Sequence, residues 1–236
     1  MELNINYIKI IKFLALIIFL LSIMSILGQI YKFTIGQDLY IKIFEEIVEL
    51  FNLDMENNLP TWYSTISLFF CSIILLLIGL VKKNVGDKFY LHWIILSIIF
   101  TILSLDENIQ LHEKTIDPLR NFFNSSGIFY FAWTIPAIFL LLFLFFFFLK
   151  FLINLPKKSR ILFLFSGSIF ILGSIGGELV GGYWTSKFDQ ENLVYALITN
   201  FEEILEMTGI LFFIYALLDY MSLHLIDLRI RILNSK

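Results

Sequence analysis

Residues 139–149 read FLLLFLFFFFL, a run with no polar side chain on any face of any regular conformation. A helix on the surface of a soluble domain carries one apolar stripe, and a strand of a membrane barrel alternates polar with apolar residues. This run does neither, so its surroundings must be apolar on all sides. Followed outward, it extends over about residues 128–150, roughly the 20 residues needed to cross a hydrocarbon core about 30 Å thick. Five further stretches have similar length and character, at about 7–30, 62–81, 89–106, 161–184 and 193–220. Only helices satisfy the backbone of such segments in lipid, which predicts an all-α, polytopic bundle of about six transmembrane helices in a single domain over residues 1–236.

Composition gives the same answer. The chain is 58% hydrophobic and contains 27 Phe, with only 16% charged residues gathered in clumps between long uncharged runs. A soluble core of this length cannot hide that much apolar surface. The net charge of −3 and the absence of a basic stripe predict no nucleic-acid partner. The single cysteine, Cys71, excludes an intrachain disulfide and reads as a small buried apolar side chain. The first apolar stretch is long and lacks a small-residue cleavage site, so it reads as an uncleaved helix.

Basic residues orient the bundle. With alternating loops, Lys9, Lys12, Lys82, Lys83, Lys88, Lys150, Lys157, Lys158, Arg160, Arg229, Arg231 and Lys236 share the side of the N-terminus, 12 of the 17 basic residues. The positive-inside rule makes that side cytoplasmic, and an even number of spans brings both termini to it, as expected for a plasma (inner) membrane protein. Acidic residues show the opposite bias, with only Glu2, Asp87, Asp219 and Asp227 of the 20 on the cytoplasmic side. In the first outer loop, DLYIKIFEEIVELF places Ile41, Phe44, Val48 and Phe51 opposite Glu45, Glu46 and Glu49. This pattern predicts an amphipathic helix lying on the membrane or on the bundle. Pro60 suits the first turn of the span that follows.

Three acidic groups lie near or within spans. The third span leaves the membrane as SLDENIQLHEKTIDPL. If it stays helical to about Ile116, Asp106, Gln110 and Glu113 share a face flanked by His112, with Glu107 adjacent. Asp117, directly before Pro118, is biased away from helical geometry. The fifth span carries Glu178 beside Gly173, Gly177 and Gly181, whose spacing of four lets another helix approach closely. The sixth carries FEEILEM, with Glu202 and Glu206 one turn apart and Glu203 between them.

A charge near the bilayer centre costs about 2.5–3.5 kcal/mol on insertion scales, and like charges at i and i+4 also repel. No Lys or Arg lies in the outer halves of these two spans, so protons, a bound cation or a residue from elsewhere must compensate. Asp106, Glu107, Glu178, Glu202, Glu203 and Glu206 are the expected metal ligands. His112 and Glu113 are the expected acid or base. An oxygen-rich set with one imidazole suits a divalent ion, Mg, Ca, Mn or Fe, better than zinc or copper. Plainer readings compete: the acids of the third span as its solvated end, and Glu178 reaching the interface. Polar residues concentrate in the outer half, which favours a pocket open to one side over a permeation route. The leading expectation is therefore a metal-dependent enzyme acting on a lipid or lipid-linked substrate at the outer leaflet. A cation or proton-coupled transporter and a non-catalytic assembly subunit are the alternatives.

Overall fold

The computed structural model describes residues 6–34 and 42–225, and among these it is all-helical. In chain order the elements are α1 (Tyr7–Thr34), α2 (Lys42–Phe51), α3 (Leu59–Asn84), α4 (Tyr90–Ile109), and the short α5 (Leu111–Lys114) and α6 (Ile116–Phe123). After a 3-10 turn (Gly127–Phe129) come α7 (Thr134–Asn154), α8 (Lys157–Ile171), a π-helical segment (Leu172–Gly177), α9 (Glu178–Thr185) and α10 (Leu193–His224). Among the described residues, six helices are long and apolar enough to cross a membrane, α8, the π segment and α9 together forming one of them. Ile41, the Phe44 side chain, Glu2, Asp227, Arg229, Arg231 and Lys236, used above to read the first loop and the orientation, lie outside the described residues.

Helix association in lipid gains nothing from hiding apolar side chains, so small residues and satisfied hydroxyls determine which helices meet. The closest backbone packing joins α3 to α4, α8 to α10 and α1 to α10. Between α3 and α4, the Ser72 hydroxyl lies 3.1 Å from that of Ser97 and 2.7 Å from that of Thr101, and Ser104 donates to the Thr65 carbonyl at 2.8 Å. Between α8 and α10, Gly209 lies directly against the Phe170 backbone. Trp93 of α4 closes the core near the other end of the bundle, with Tyr220 at 4.8 Å, Phe151 at 5.0 Å and Phe163 at 5.8 Å between ring centres. Cys71 is fully buried in this core, as its apolar context implied.

The start of α1 and the end of α10 lie together. Asp219, buried in α10, accepts from Lys158 at 2.6 Å and from the Tyr7 hydroxyl at 3.3 Å, so one carboxylate joins α1, α8 and α10. We call this the terminal end of the bundle.

The amphipathic α2 packs on α1. Val48 sits against Gly28, Phe51 is half-buried, and Glu45, Glu46 and Glu49 face outward. Asn58 caps α3 by accepting from the Thr61 amide at 3.2 Å, and Pro60 occupies the first turn as its missing amide hydrogen allows.

Three expectations are corrected. The third span does not run to Ile116: α4 ends at Ile109, and Gln110 adopts a left-handed conformation (φ 57°, ψ 42°) that turns the chain. The shared helical face of Asp106, Gln110 and Glu113 therefore does not form. Asp117 is also helical, in the first turn of α6, because Pro118 falls where its missing N–H has no intrahelical partner in any case. The fourth span is helical from Thr134, later than the apolar run suggested. Phe139, Phe143 and Phe146 on α7 are exposed, as its composition predicts, whereas Phe148 and Phe151 turn inward.

The glycine contacts give a direct test. A Cβ at Gly209 would lie 2.7 Å from the Phe170 nitrogen and 2.8 Å from its Cα, backbone atoms that cannot rotate away. A Cβ at Gly167, one turn before Phe170 on α8, would meet nothing within 4 Å. Gly209→Ala should therefore destabilise the detergent-solubilised protein by about 1–3 kcal/mol, the range for overpacking. Gly167→Ala should leave its thermal midpoint unlowered. Equal effects of the two in a thermal aggregation assay would contradict this packing.

Candidate functional site

The most acidic part of the bundle forms around the α10 sequence FEEILEM. Opposite it, the π segment and α9 present a face almost without side chains. A Cβ at Gly177 would lie 2.6 Å from Glu202 Cβ and 2.7 Å from its Cδ, and one at Gly173 would lie 2.8 Å from Glu206 Cγ. The carboxyl-bearing side chains thus occupy the space that any larger residue would take. The π segment has one more residue per turn than an α-helix, which re-phases α9 against α8 and places Glu178 on the cavity side. A Cβ at Gly181 would make only ordinary contacts, with Phe131 at 3.5 Å and Tyr195 at 3.8 Å.

The turn at Gln110 supplies the second wall. Asp106 accepts from the His112 amide at 3.1 Å, and its other oxygen lies 2.7 Å from His112 Nδ1. Asp106 thereby caps the turn and orients the imidazole, leaving Nε2 free to point elsewhere. The imidazole packs on Trp133, ring centres 4.9 Å apart, and Trp133 Nε1 donates to Glu178 at 2.8 Å. A continuous chain Asp106–His112–Trp133–Glu178 links α4 to α9.

The third wall is the loop between α2 and α3. The Leu53 amide donates to Ser25 of α1 at 3.0 Å, and Asn58 Nδ2 donates to the carbonyls of Asn52 at 2.6 Å and Glu49 at 3.2 Å. With its ends held, this loop brings Asp54 and Glu56 to the cavity.

All eight residues singled out from the sequence, Asp106, Glu107, His112, Glu113, Glu178, Glu202, Glu203 and Glu206, line one cavity of about 820 Å³, together with Asp54 and Glu56. Nine carboxyl groups and one imidazole thus face a common space, and no Lys or Arg is among the described residues lining it. Glu202, Glu203 and Glu206 remain partly accessible because they form the cavity wall while being enclosed by protein on the other sides. The tightest grouping is not the α10 triplet. Glu56, His112 and Glu113 each offer a ligand atom, all within 4.8 Å of one another, close enough to share one cation. Glu56 Oε2 is shielded from solvent without a hydrogen-bond partner. Asp54, Glu56 and Trp133 were not identified from the sequence. Acids in an Asn-rich loop look like ordinary turn residues, and a tryptophan at a span end looks like part of the interfacial aromatic belt.

The fold and the cavity define a six-helix bundle of membrane-protein type with a carboxylate-rich pocket at the end opposite the termini. The chain belongs to the family described as Domain of unknown function (DUF8692), which matches residues 13–220. No curated protein and no solved structure matches it.

Two groups at the mouth titrate away from their ordinary ranges. Burial, reinforced by Glu113, pushes Glu56 up to about 8. Burial works against the charged form of His112, but the Asp106 hydrogen bond and charge outweigh it and raise the imidazole to about 9. Each group holds its proton more tightly in the folded than in the unfolded chain. Their contributions to stability are therefore complete below about 4.5 for Glu56 and 6.5 for His112, and are lost as pH rises towards 8 and 9 respectively. With a chelator present, wild-type stability should fall between pH 6.5 and 8 more steeply than that of Glu56→Gln/His112→Gln. Parallel thermal-midpoint profiles for the two proteins would contradict this assignment.

Proposed function

We propose that this chain is a metal-dependent membrane enzyme acting on a lipid or lipid-linked substrate, with the carboxylate end of the bundle at the outer leaflet. The observation that supports the reading is that nine carboxyl groups and His112 line one cavity without a lining Lys or Arg, with Glu56, His112 and Glu113 near enough to share a cation. Like charges this dense, at membrane depth and beside apolar walls, are neutralised by protons or by a bound cation, and a cation can serve several of them at once. Oxygen donors with a single imidazole select Mg, Ca, Mn or a carboxylate-bridged pair of Fe ions.

Asp106, Glu107, Glu178, Glu202, Glu203 and Glu206 are the proposed ligands, and Glu56 joins them at the mouth. The metal would polarise a carbonyl or phosphoryl oxygen, or activate water. His112, oriented by Asp106, and Glu113 are placed to move a proton at the same mouth. Trp133 holds Glu178 from behind, as outer-shell donors hold metal-bound carboxylates.

A transporter reading draws on a second pocket, of about 280 Å³, at the terminal end, lined by Lys82, Asp87, Tyr220 and His224. Phe151 lines both cavities. The stretch of the larger cavity leading to Phe151 is nevertheless apolar and offers a cation no ligands, so the enzyme reading is preferred.

Metal analysis of the purified protein decides the first step. After dialysis against Mg, Ca, Mn or Fe(II), one of these should remain at stoichiometric level and be lost from the combined Glu202→Gln/Glu203→Gln/Glu206→Gln variant. Trp133→Phe should weaken the same metal by about 10–100-fold. If no metal is retained, the enzyme reading fails. Cation uptake into proteoliposomes that Glu206→Gln abolishes would put transport in its place.

A further inference from the structure

Below the carboxylates the cavity continues towards the terminal end with a different chemistry. Its walls there are Leu96, Phe100 and Leu103 of α4, Leu140 and Leu144 of α7, and Phe213 of α10, with equivalent side chains around them. On the wall of α8 and the π segment, Ser166 donates to the Phe163 carbonyl at 3.1 Å and Ser174 to that of Phe170 at 3.0 Å, which leaves Ser168 alone to offer a hydroxyl to this space. Water held here would lack the two to four polar partners that a buried water needs. A hydrocarbon chain needs none.

The length is also suited to a chain. The lining along α7 runs from Ala137 to Leu152, about 22 Å at 1.5 Å per residue. Half of a hydrocarbon core about 30 Å thick is about 15 Å, so the space accommodates the depth of one leaflet. The α8 wall is hollowed by Gly167, where a Cβ would have nothing within 4 Å. α4 and α7 both line the cavity without close backbone packing, and His92 stacked on Phe147 and Phe151 near the terminal end joins them by side chains, so nearer the carboxylate end their separation is bridged by side chains that can move aside.

We infer that the apolar half of this cavity holds one acyl chain of an outer-leaflet phospholipid, admitted sideways between α4 and α7, with its head at the carboxylate end. The inference rests on the proposed enzyme reading of the same cavity and specifies its substrate class as a long-chain bilayer lipid. Bond-making chemistry is confined to the head, and the chain contributes binding and depth.

The test uses full-length protein in nanodiscs containing a phosphatidylcholine with a photoactivatable diazirine midway along one acyl chain. Labelled peptides are mapped by mass spectrometry. Labelling is expected on Leu103, Leu141 or Leu144 and should fall at least tenfold in Gly167→Trp, which fills the hollow, while Phe139→Trp on the exposed face of α7 leaves it unchanged. Labelling confined to Phe139, Phe143 and Phe146 would overturn the inference, as would labelling of the cavity that persists undiminished in a folded Gly167→Trp. Should Gly167→Trp not fold, the wild-type map alone decides by the same distribution. Failure of the two readings is separable. Cavity labelling in a protein that retains no metal removes the enzyme reading and leaves the chain site. Stoichiometric metal with labelling only on the outer face of α7 does the reverse.

Discussion

Glu202 and Glu206 rest against Gly177 and Gly173, and the position of the whole carboxylate wall depends on that contact. In lipid, two helices approach closely where small residues line the seam. Here one helix contributes glycine and the other contributes glutamate side chains, so Glu206 is held through its Cγ and backbone and Glu202 along its whole length to the carboxyl carbon. Their oxygens are free to face the cavity. The π segment belongs to the same device, because it supplies the glycine face and re-phases Glu178 towards the acids in one stretch of chain.

From this contact the rest of the site is assembled by short polar links between elements far apart in sequence. Asp106 folds the chain back after α4 and holds His112; His112 packs on Trp133; Trp133 holds Glu178. On the other side, Ser25 of α1 anchors the loop that carries Glu56. Each of these links draws on a partner that is not itself a cavity acid (His112, Trp133 or Ser25), the arrangement expected where ligands must be fixed before a cation arrives.

The two halves of the cavity differ as the two parts of a lipid differ. One end has donors and charge, and the other has aliphatic and aromatic walls with a few serine hydroxyls, of which Ser166 and Ser174 bond to their own helix. A cation route would need ligands along its length, and a purely structural bundle would close the space. A cavity polar at one end and apolar at the other is matched by an amphiphile.

The six spans were legible because lipid imposes a requirement that every stretch must meet by itself: about twenty apolar residues with an internally satisfied backbone. The acids of α9 and α10 were legible for the converse reason, since carboxyl groups inside such a stretch are costly and stand out. The glycine spacing beside Glu178 was readable too, as a place where a helix could come close. What remained hidden depended on three-dimensional placement. Gln110 breaks α4 because Asp106 can cap a turn that returns His112 to it, an outcome decided by a carboxylate and an imidazole meeting in space. Asp54 and Glu56 sit in a loop whose sequence looks like any solvated turn, and only its anchoring to α1 brings them to the cavity. The sequence by itself determined that charge is buried in this bundle, because burial cost is local to a span; the tertiary structure decided which charges face one another, because that depends on how separate spans pack.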